Sequence, residues 1–291
     1  MNWAELVDVI PEVTLEQFDF VAARRVGGGD INDAWVLQGK EQSYFVKLND
    51  AALLDMFEAE FEALKAMLAT DTIRVPQVYC TGILDDKAFV LMEYLELSGR
   101  GSPQQLGEQL AAMHRVTQSR FGWWRDNTIG ATPQKNEENA DWIAFYGQQR
   151  LAWQLKLLRD NGVSGSLQIL GQTLIEKLPL FFTAYQPVPS MLHGDLWGGN
   201  YAFDETGTPV LFDPALYFGD READMAMTEL FGGFDSEFYA AYNEAWPLDA
   251  GYVTRKTLYN LYHILNHANL FGGGYASQAE SMMRKLLAEL H

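Results

Sequence analysis

His193-Gly194-Asp195-Leu196-Trp197-Gly198-Gly199-Asn200, a short strand-like piece, then Leu211-Phe212-Asp213-Pro214: this stretch decides how the chain is read. Asp195 and Asn200 stand five positions apart, and Asp213 follows after a hairpin's length of chain. A phosphotransferase loop has that spacing. One Asp orients the acceptor hydroxyl and takes its proton, and an Asn five residues on offers a metal ligand. A second Asp bridges the metal to the phosphates. Oxygen ligands suit magnesium, a hard cation. A polar turn between strands is the simpler reading of an isolated His-Gly-Asp. Asn200 and Asp213 at these offsets weigh against it.

Upstream residues point the same way. Phe45-Val46-Lys47-Leu48 puts a lysine near the end of a strand, where its ammonium can reach the α- and β-phosphates of ATP. A lone strand lysine is more often a solvated edge charge. Thirteen residues on, Glu60 lies on a predicted helix over 51–69 whose apolar stripe is Phe57, Phe61, Leu64 and Leu68. At ~100° per residue Glu60 sits on the shoulder of that stripe and can pair with Lys47. Gly27, Gly28 and Gly29 lie between two strand candidates, where backbone N–H groups can approach phosphate, although a plain hairpin turn is the bland alternative. Leu91-Met92-Glu93-Tyr94-Leu95 ends a predicted strand, a place where backbone groups of a kinase hinge would meet adenine; a buried strand end reads equally well.

The wider chain is organised around these pieces. Strand candidates 34–38, 43–48, 77–82 and 87–94, with the helix at 51–69, fill the first third after short helices at 3–10 and 14–18. Helical patterns dominate later, at 103–118, 140–160, 166–185, 221–246 and 253–290, with strand-like pieces only at 190–192, 200–203 and 210–212. The expected fold class is therefore α+β and bilobal, with a cleft between a β-rich lobe over 1–95 and a helical lobe over 96–291. The first lobe is expected to bind nucleotide, and the second to carry catalysis and the acceptor. The 291 residues are 48% hydrophobic and carry a formal net charge of −18. So acidic a chain argues against nucleic-acid and anionic-membrane partners. No run approaches the ~20 apolar residues of a membrane span. No basic segment before an apolar run marks a secretory leader, and Cys80 is the only cysteine, which fits a cytoplasmic protein with a packed thiol.

Taken together, GGGDIN, FVKL, FEAEFEAL, VPQVYCTG, LMEYLEL, HGDLWGGN and LFDPA resemble the fructosamine kinase (ketosamine-3-kinase) family, within the aminoglycoside- and choline-kinase-like group. The stretches over 106–151 and 213–234 resemble that family more particularly, and the resemblance covers roughly residues 15–290. It implies a protein-kinase-like fold and ATP- and Mg2+-dependent phosphorylation of the 3-hydroxyl of a sugar–amine adduct, a small-molecule ketosamine. Asp195 would be the base, Asn200 and Asp213 the metal ligands, and Lys47 with Glu60 the phosphate-binding pair. Gly28, Gly29 and the hinge Glu93, Tyr94 and Leu95 would complete the ATP site. His-Gly-Asp replaces the His-Arg-Asp of protein kinases, and Asp-Pro-Ala replaces Asp-Phe-Gly, which argues against a protein-kinase-type substrate.

For the acceptor, Trp197 of the catalytic loop joins Asn127, Gln134 and Trp142 as candidates, with Trp123, Trp124 and Asn136 nearby. Aromatic faces and amides suit a sugar ring, although core packing explains the tryptophans as well. Asp220, Glu222 and Asp224 could meet a cationic amine. His114 is expected to be structural, and His263 and His267, without a third ligand, are read as helix surface or core. Two alternatives stay open: a kinase of another small alcohol, such as an aminoglycoside or choline, and a non-catalytic nucleotide-binding protein on the same fold.

Overall fold

The computed structural model describes residues 3–27 and 31–290. Gly28 and Gly29, the expected phosphate-approaching glycines, lie outside the described residues. The chain divides into two compact units, Met1–Ser102 with Ala202–Asp213, and Pro103–Tyr201 with Pro214–His291.

The first unit is built on a five-stranded antiparallel sheet. Its strands are β1 (Phe20–Val26), β2 (Asp33–Gly39), β3 (Ser43–Asp50), β4 (Val78–Leu84) and β5 (Lys87–Glu93), in the order β1-β2-β3-β5-β4. Side chains alternate across a strand. On β3, Tyr44, Val46 and Leu48 therefore share one face, and they join Leu6 and Ile10 of helix α1 (Ala4–Thr14) in an apolar cluster. Lys47 points to the other face, where helix α2 (Leu54–Leu68) packs. Phe57, Leu64 and Met67 are fully buried on α2, while Leu68 is 42% exposed. The buried stripe thus runs 57, 64, 67, and Glu60 falls in its middle rather than on its shoulder. Of the two expected N-terminal helices only the first forms: α1 continues through Pro11, which lacks an N–H to donate, and ends at Leu15 in the left-handed conformation, so that 15–18 is not helical. A small sheet of β6 (Leu97–Ser98), β10 (Tyr201–Asp204) and β11 (Pro209–Leu211) brings the later hairpin back to this unit.

The second unit begins with α3 (Pro103–His114) and a short hairpin, β7 (Asn127–Ile129) and β8 (Thr132–Gln134), that no sequence pattern announced. Its turn is made at Gly130, with φ +59. Three-residue strands have too short a period to read. A helix then runs from Trp142 to Asp160 as α4 (Trp142–Phe145), a π-helical segment (Tyr146–Ala152) and α5 (Trp153–Asp160). After α6 (Ser166–Lys177), β9 (Ser190–Leu192) pairs antiparallel with β12 (Tyr217–Gly219). The remaining helices are α7 (Glu222–Leu230), α8 (Ser236–Ala245), α9 (Tyr252–Phe271) and α10 (Tyr275–Ala288). Every residue of α9 from Leu258 to Asn266 is buried, polar Asn260, His263 and Asn266 included, so this helix is enclosed on all sides and forms the unit's spine. The β-rich-then-helical order expected from the sequence is the order observed.

Candidate active site

In the first unit, strand β3 and helix α2 bring Lys47 and Glu60 together, with Lys47 Nζ donating to Glu60 Oε1 at 2.5 Å. The same ammonium donates to Asp213 Oδ1. Lys47 is only 8% exposed. Burial would lower its pKa, but the charges of Asp213 and Glu60 outweigh burial and hold it above the ordinary lysine value. Burial pushes Glu60 up, against the pull of Lys47. The result is a fixed cation with one acid behind it and one beside it. Asp213 adopts a left-handed backbone, φ +59, a conformation that costs most residues ~1–2 kcal/mol but that Asp tolerates better than most. That turn aims its carboxylate at Lys47.

In the second unit, the catalytic-loop candidate closes on itself. Asn200 Nδ2 donates to the Asp195 carbonyl oxygen at 2.8 Å and to Asp195 Oδ2 at 3.2 Å, which leaves Asn200 Oδ1 as the amide's acceptor. The loop is pinned from beneath by Asp224. Its carboxylate accepts from His193 N at 2.7 Å, Gly194 N at 2.9 Å and His114 Nε2 at 3.1 Å. Burial would raise the Asp224 pKa, but the hydrogen bonds from His114 and the Gly194 N–H help pull it below the usual aspartate value. Arg221 Nη1 donates to Tyr242 Oη, which directs the Tyr242 proton to His114 Nδ1 at 2.7 Å. The His114 proton then sits on Nε2, facing Asp224. Gly194 has φ +84, and a Cβ there would lie 2.1 Å from Ala215 O, so only glycine fits. Asp224 was offered by the sequence as an acid for a cationic amine; the structure gives it instead to this loop, a partnership that its distance along the chain hid.

The other expected site residues fall into different surroundings. Glu93 ends β5 with its carboxylate engaged by Arg74 Nη2 at 2.8 Å and by Gln77 N, so its side chain braces the strand end. Tyr94 and Leu95 follow, half-buried. Trp197 is 40% exposed, two positions after Asp195. Asn127, Gln134 and Trp142 differ from the expectation that they meet an acceptor. All three are buried, and Trp142 stacks on Phe145 while its Nε1 donates to Tyr259 Oη. The amides of Asn127 and Gln134 bond to one another and to backbone carbonyls. Asp220 and Glu222 are also buried, Asp220 accepting from Tyr259 and Tyr185, and Glu222 paired bidentately with Arg255. None of these acids is open to a cationic amine.

The sequence pattern of one family, fructosamine kinase, matches residues 2–289. The chain belongs to the fructosamine kinase family. Members of this family are ATP-dependent phosphotransferases with an alcohol acceptor, in agreement with the motifs above. Among its relatives, a protein named probable ketoamine kinase from Synechocystis is 46% identical over 98% of this chain and 97% of its own. A protein-ribulosamine 3-kinase, chloroplastic, from Arabidopsis thaliana is 45% identical over 91% of this chain and 82% of its own. A crystal structure from Haemophilus somnus, named as a candidate fructosamine-3-kinase, superposes with a TM-score of 0.89 at 29% identity, covering 98% of this chain and 97% of that one. A choline kinase from Streptococcus pneumoniae shares the fold alone, with a TM-score of 0.62 at 14% identity, covering 99% of this chain and all of that one. The bilobal kinase-like fold is thus the family's fold in this chain.

Among the described residues, no cluster of three or more His, Cys, Asp or Glu forms a self-contained metal cage. Magnesium is usually held by one or two protein oxygens together with phosphates and water. Asn200 Oδ1 and the half-exposed Asp213 carboxylate are oxygens of the required kind. No described helix is long and apolar enough to cross a membrane.

Proposed function

We propose that this member of the fructosamine kinase family is a ketosamine 3-kinase, with the units as nucleotide-binding and catalytic lobes. The observation that carries the reading is the Lys47 ammonium fixed against Glu60 and Asp213, in a chain whose Asp195–Asn200 loop is independently braced. Asp195 is the base. Its carboxylate takes the proton of the acceptor's 3-hydroxyl as that oxygen bonds to the γ-phosphorus of ATP and the bond to the β,γ-bridging oxygen breaks, releasing ADP. Lys47 receives the α- and β-phosphates, with Glu60 holding it in place. Backbone groups at Glu93, Tyr94 and Leu95 meet adenine. Asn200 and Asp213 would hold magnesium, whose charge, when bound, neutralises the phosphate oxygens. Trp197, exposed beside Asp195, is the acceptor contact retained from the sequence; its face suits a sugar ring's C–H groups.

The chemistry supports adduct repair. A ketosamine tautomerises to an enaminol, in which the C3 oxygen is an allylic leaving group. Hydroxide leaves poorly and phosphate leaves well. Phosphorylation at C3 therefore lets the adduct expel inorganic phosphate, and hydrolysis frees the amine without a second active site. Ribulose- and fructose-linked amines are the proposed substrates, pentose adducts preferred, and the cytoplasm the proposed compartment.

The test incubates the protein with Mg2+, ATP and a glycated lysine derivative, and follows ADP, phosphorylated adduct and released amine. Turnover of the ketosamine is expected. Turnover of an aminoglycoside or choline in its place would leave the kinase fold and remove the substrate assignment, and no phosphoryl transfer to any acceptor would remove the enzyme.

A further inference from the structure

Asn127, Gln134, Asn136 and Arg150 form a buried polar web in the second unit whose hydrogen-bond directions are set by Arg150 and Tyr262. Arg150 has no exposed surface and lies on the π-helical segment. Its guanidinium stacks on Tyr217 at 4.0 Å, with Phe145 at 4.8 Å. It donates to the Lys135 carbonyl and, at 2.8 Å, to Asn136 Oδ1. A guanidinium can only donate, so Asn136 must turn its oxygen toward Arg150 and its Nδ2 toward Asn127 Oδ1, at 2.9 Å. That leaves Asn127 Nδ2 to donate to Leu216 O at 2.8 Å. Tyr262 Oη donates to Gln134 Oε1 at 2.6 Å, which turns Gln134 Nε2 toward Ala215 O at 3.0 Å.

The two carbonyls at the end of this relay are those of the segment that follows Asp213-Pro214. Ala215 is also in contact with the catalytic loop, for its N–H donates to His193 O at 2.9 Å. Its carbonyl oxygen occupies the place a Gly194 side chain would fill. A shift of Ala215 O is therefore felt at the residue preceding Asp195.

We propose that Asn127 and Gln134, aligned by Arg150 and Tyr262, are positioning residues for phosphoryl transfer, acting through the Ala215–Leu216 backbone on the loop that carries Asp195. This rests on the kinase reading above and replaces the expectation that the two amides touch the acceptor. The two roles separate in kinetics. A residue that touches the acceptor changes its KM. A residue that holds the loop lowers kcat for every acceptor.

The decisive variant is Gln134→Glu, which keeps the size and the acceptor for Tyr262 but, ionised, offers Ala215 no donor and, protonated, a single O–H for the two oxygens that Nε2 serves. Its kcat should fall at least about tenfold, since small misplacements of reacting groups are costly. KM values for ketosamine and ATP should stay within about threefold. ATP hydrolysis without acceptor should fall by the same factor, a readout that holds even if the ketosamine assignment fails in the wild type. Gln134→Met, which removes all three side-chain bonds, is the second variant should the buried carboxylate prevent folding, and it should behave alike. Arg150→Lys keeps a donor-only cation and should retain more activity than Arg150→Gln, whose amide can bond in either direction. A ketosamine KM raised tenfold at unchanged kcat, or folded Gln134 variants with wild-type kcat and hydrolysis, would overturn the proposal.

Discussion

Asp224 accepts from the backbone N–H groups of both His193 and Gly194, so one carboxylate from α7 sets the plane of the loop that presents Asp195. The carboxylate also holds His114, and all its partners are donors. Asp224→Asn replaces one acceptor oxygen with an NH2 group that must face an N–H. The expected cost is about 2 kcal/mol or more of stability, with kcat lowered more than either KM. Chemical denaturation beside steady-state kinetics checks both. An Asn variant with wild-type kcat would show that the loop holds its shape without the carboxylate.

Asp195→Asn should abolish transfer while nucleotide still binds. Removing the base and orienting carboxylate is expected to cost on the order of two or more decades in kcat. Asn200 still finds the backbone carbonyl at 195, so the loop keeps one of its two closing bonds. Phosphoryl transfer and nucleotide calorimetry on the same sample test this. Turnover near the wild-type rate would remove Asp195 from the mechanism.

Asp213→Ala should weaken magnesium-dependent nucleotide binding and activity together. It also strips Lys47 of one acid and places alanine at φ +59, which costs roughly 1–2 kcal/mol. Asp213→Asn is the control, since Asn tolerates that backbone and keeps one oxygen. A magnesium titration separates the effects. Both variants should need more magnesium than the wild type, and only the alanine variant should be destabilised by its backbone. An unchanged magnesium requirement in both would place the ion elsewhere.

His263 supplies a pH prediction. It is buried on α9, and burial first, with the His267 charge second, holds its pKa down to about 3 against an ordinary 6.5. The unfolded chain then takes a proton below pH 6.5 that the folded chain refuses. Stability contributed by neutral His263 is complete above pH 6.5 and declines as pH falls toward 3, by at most ~1.4 kcal/mol per pH unit. His263→Asn, which does not titrate, should flatten the acid limb of the stability curve between pH 6.5 and 4. Parallel curves for the two proteins would mean that His263 protonates without penalty.

The parts of the site legible in the sequence are those with a local pattern. Asp195 and Asn200 share one loop, and Lys47 sits on a strand with clear alternation. Even Glu60 was readable in kind, although the buried stripe of α2 includes Ala63 and Met67 and so runs closer to it than the aromatic residues alone imply. What the sequence hid are partnerships between distant polar side chains. Asn127 and Gln134 carry the composition of a sugar site, yet a three-residue hairpin folds them inward onto carbonyls 80 to 90 positions away. Asp224 looked like an acid among many in an acidic chain. Burial, which decides both cases, is a property of the folded unit and not of the neighbouring residues.

The π-helical segment at Tyr146–Ala152 holds one residue more than a regular helix would fit, since each of its turns closes over five positions instead of four. It amounts to an insertion accommodated without a loop. Deleting one residue there would restore an ordinary helix while the turns on either side keep their places. With Trp153 and the rest of α5 anchored in the unit, the change would be taken up within the segment that carries Arg150, which would leave its ring of aromatic faces. Length and chemistry are thus tied together in this stretch. A homologous chain one residue shorter at this point should have given up the buried arginine and the oriented amides with it, and an alignment gap there is a marker for a differently supported loop.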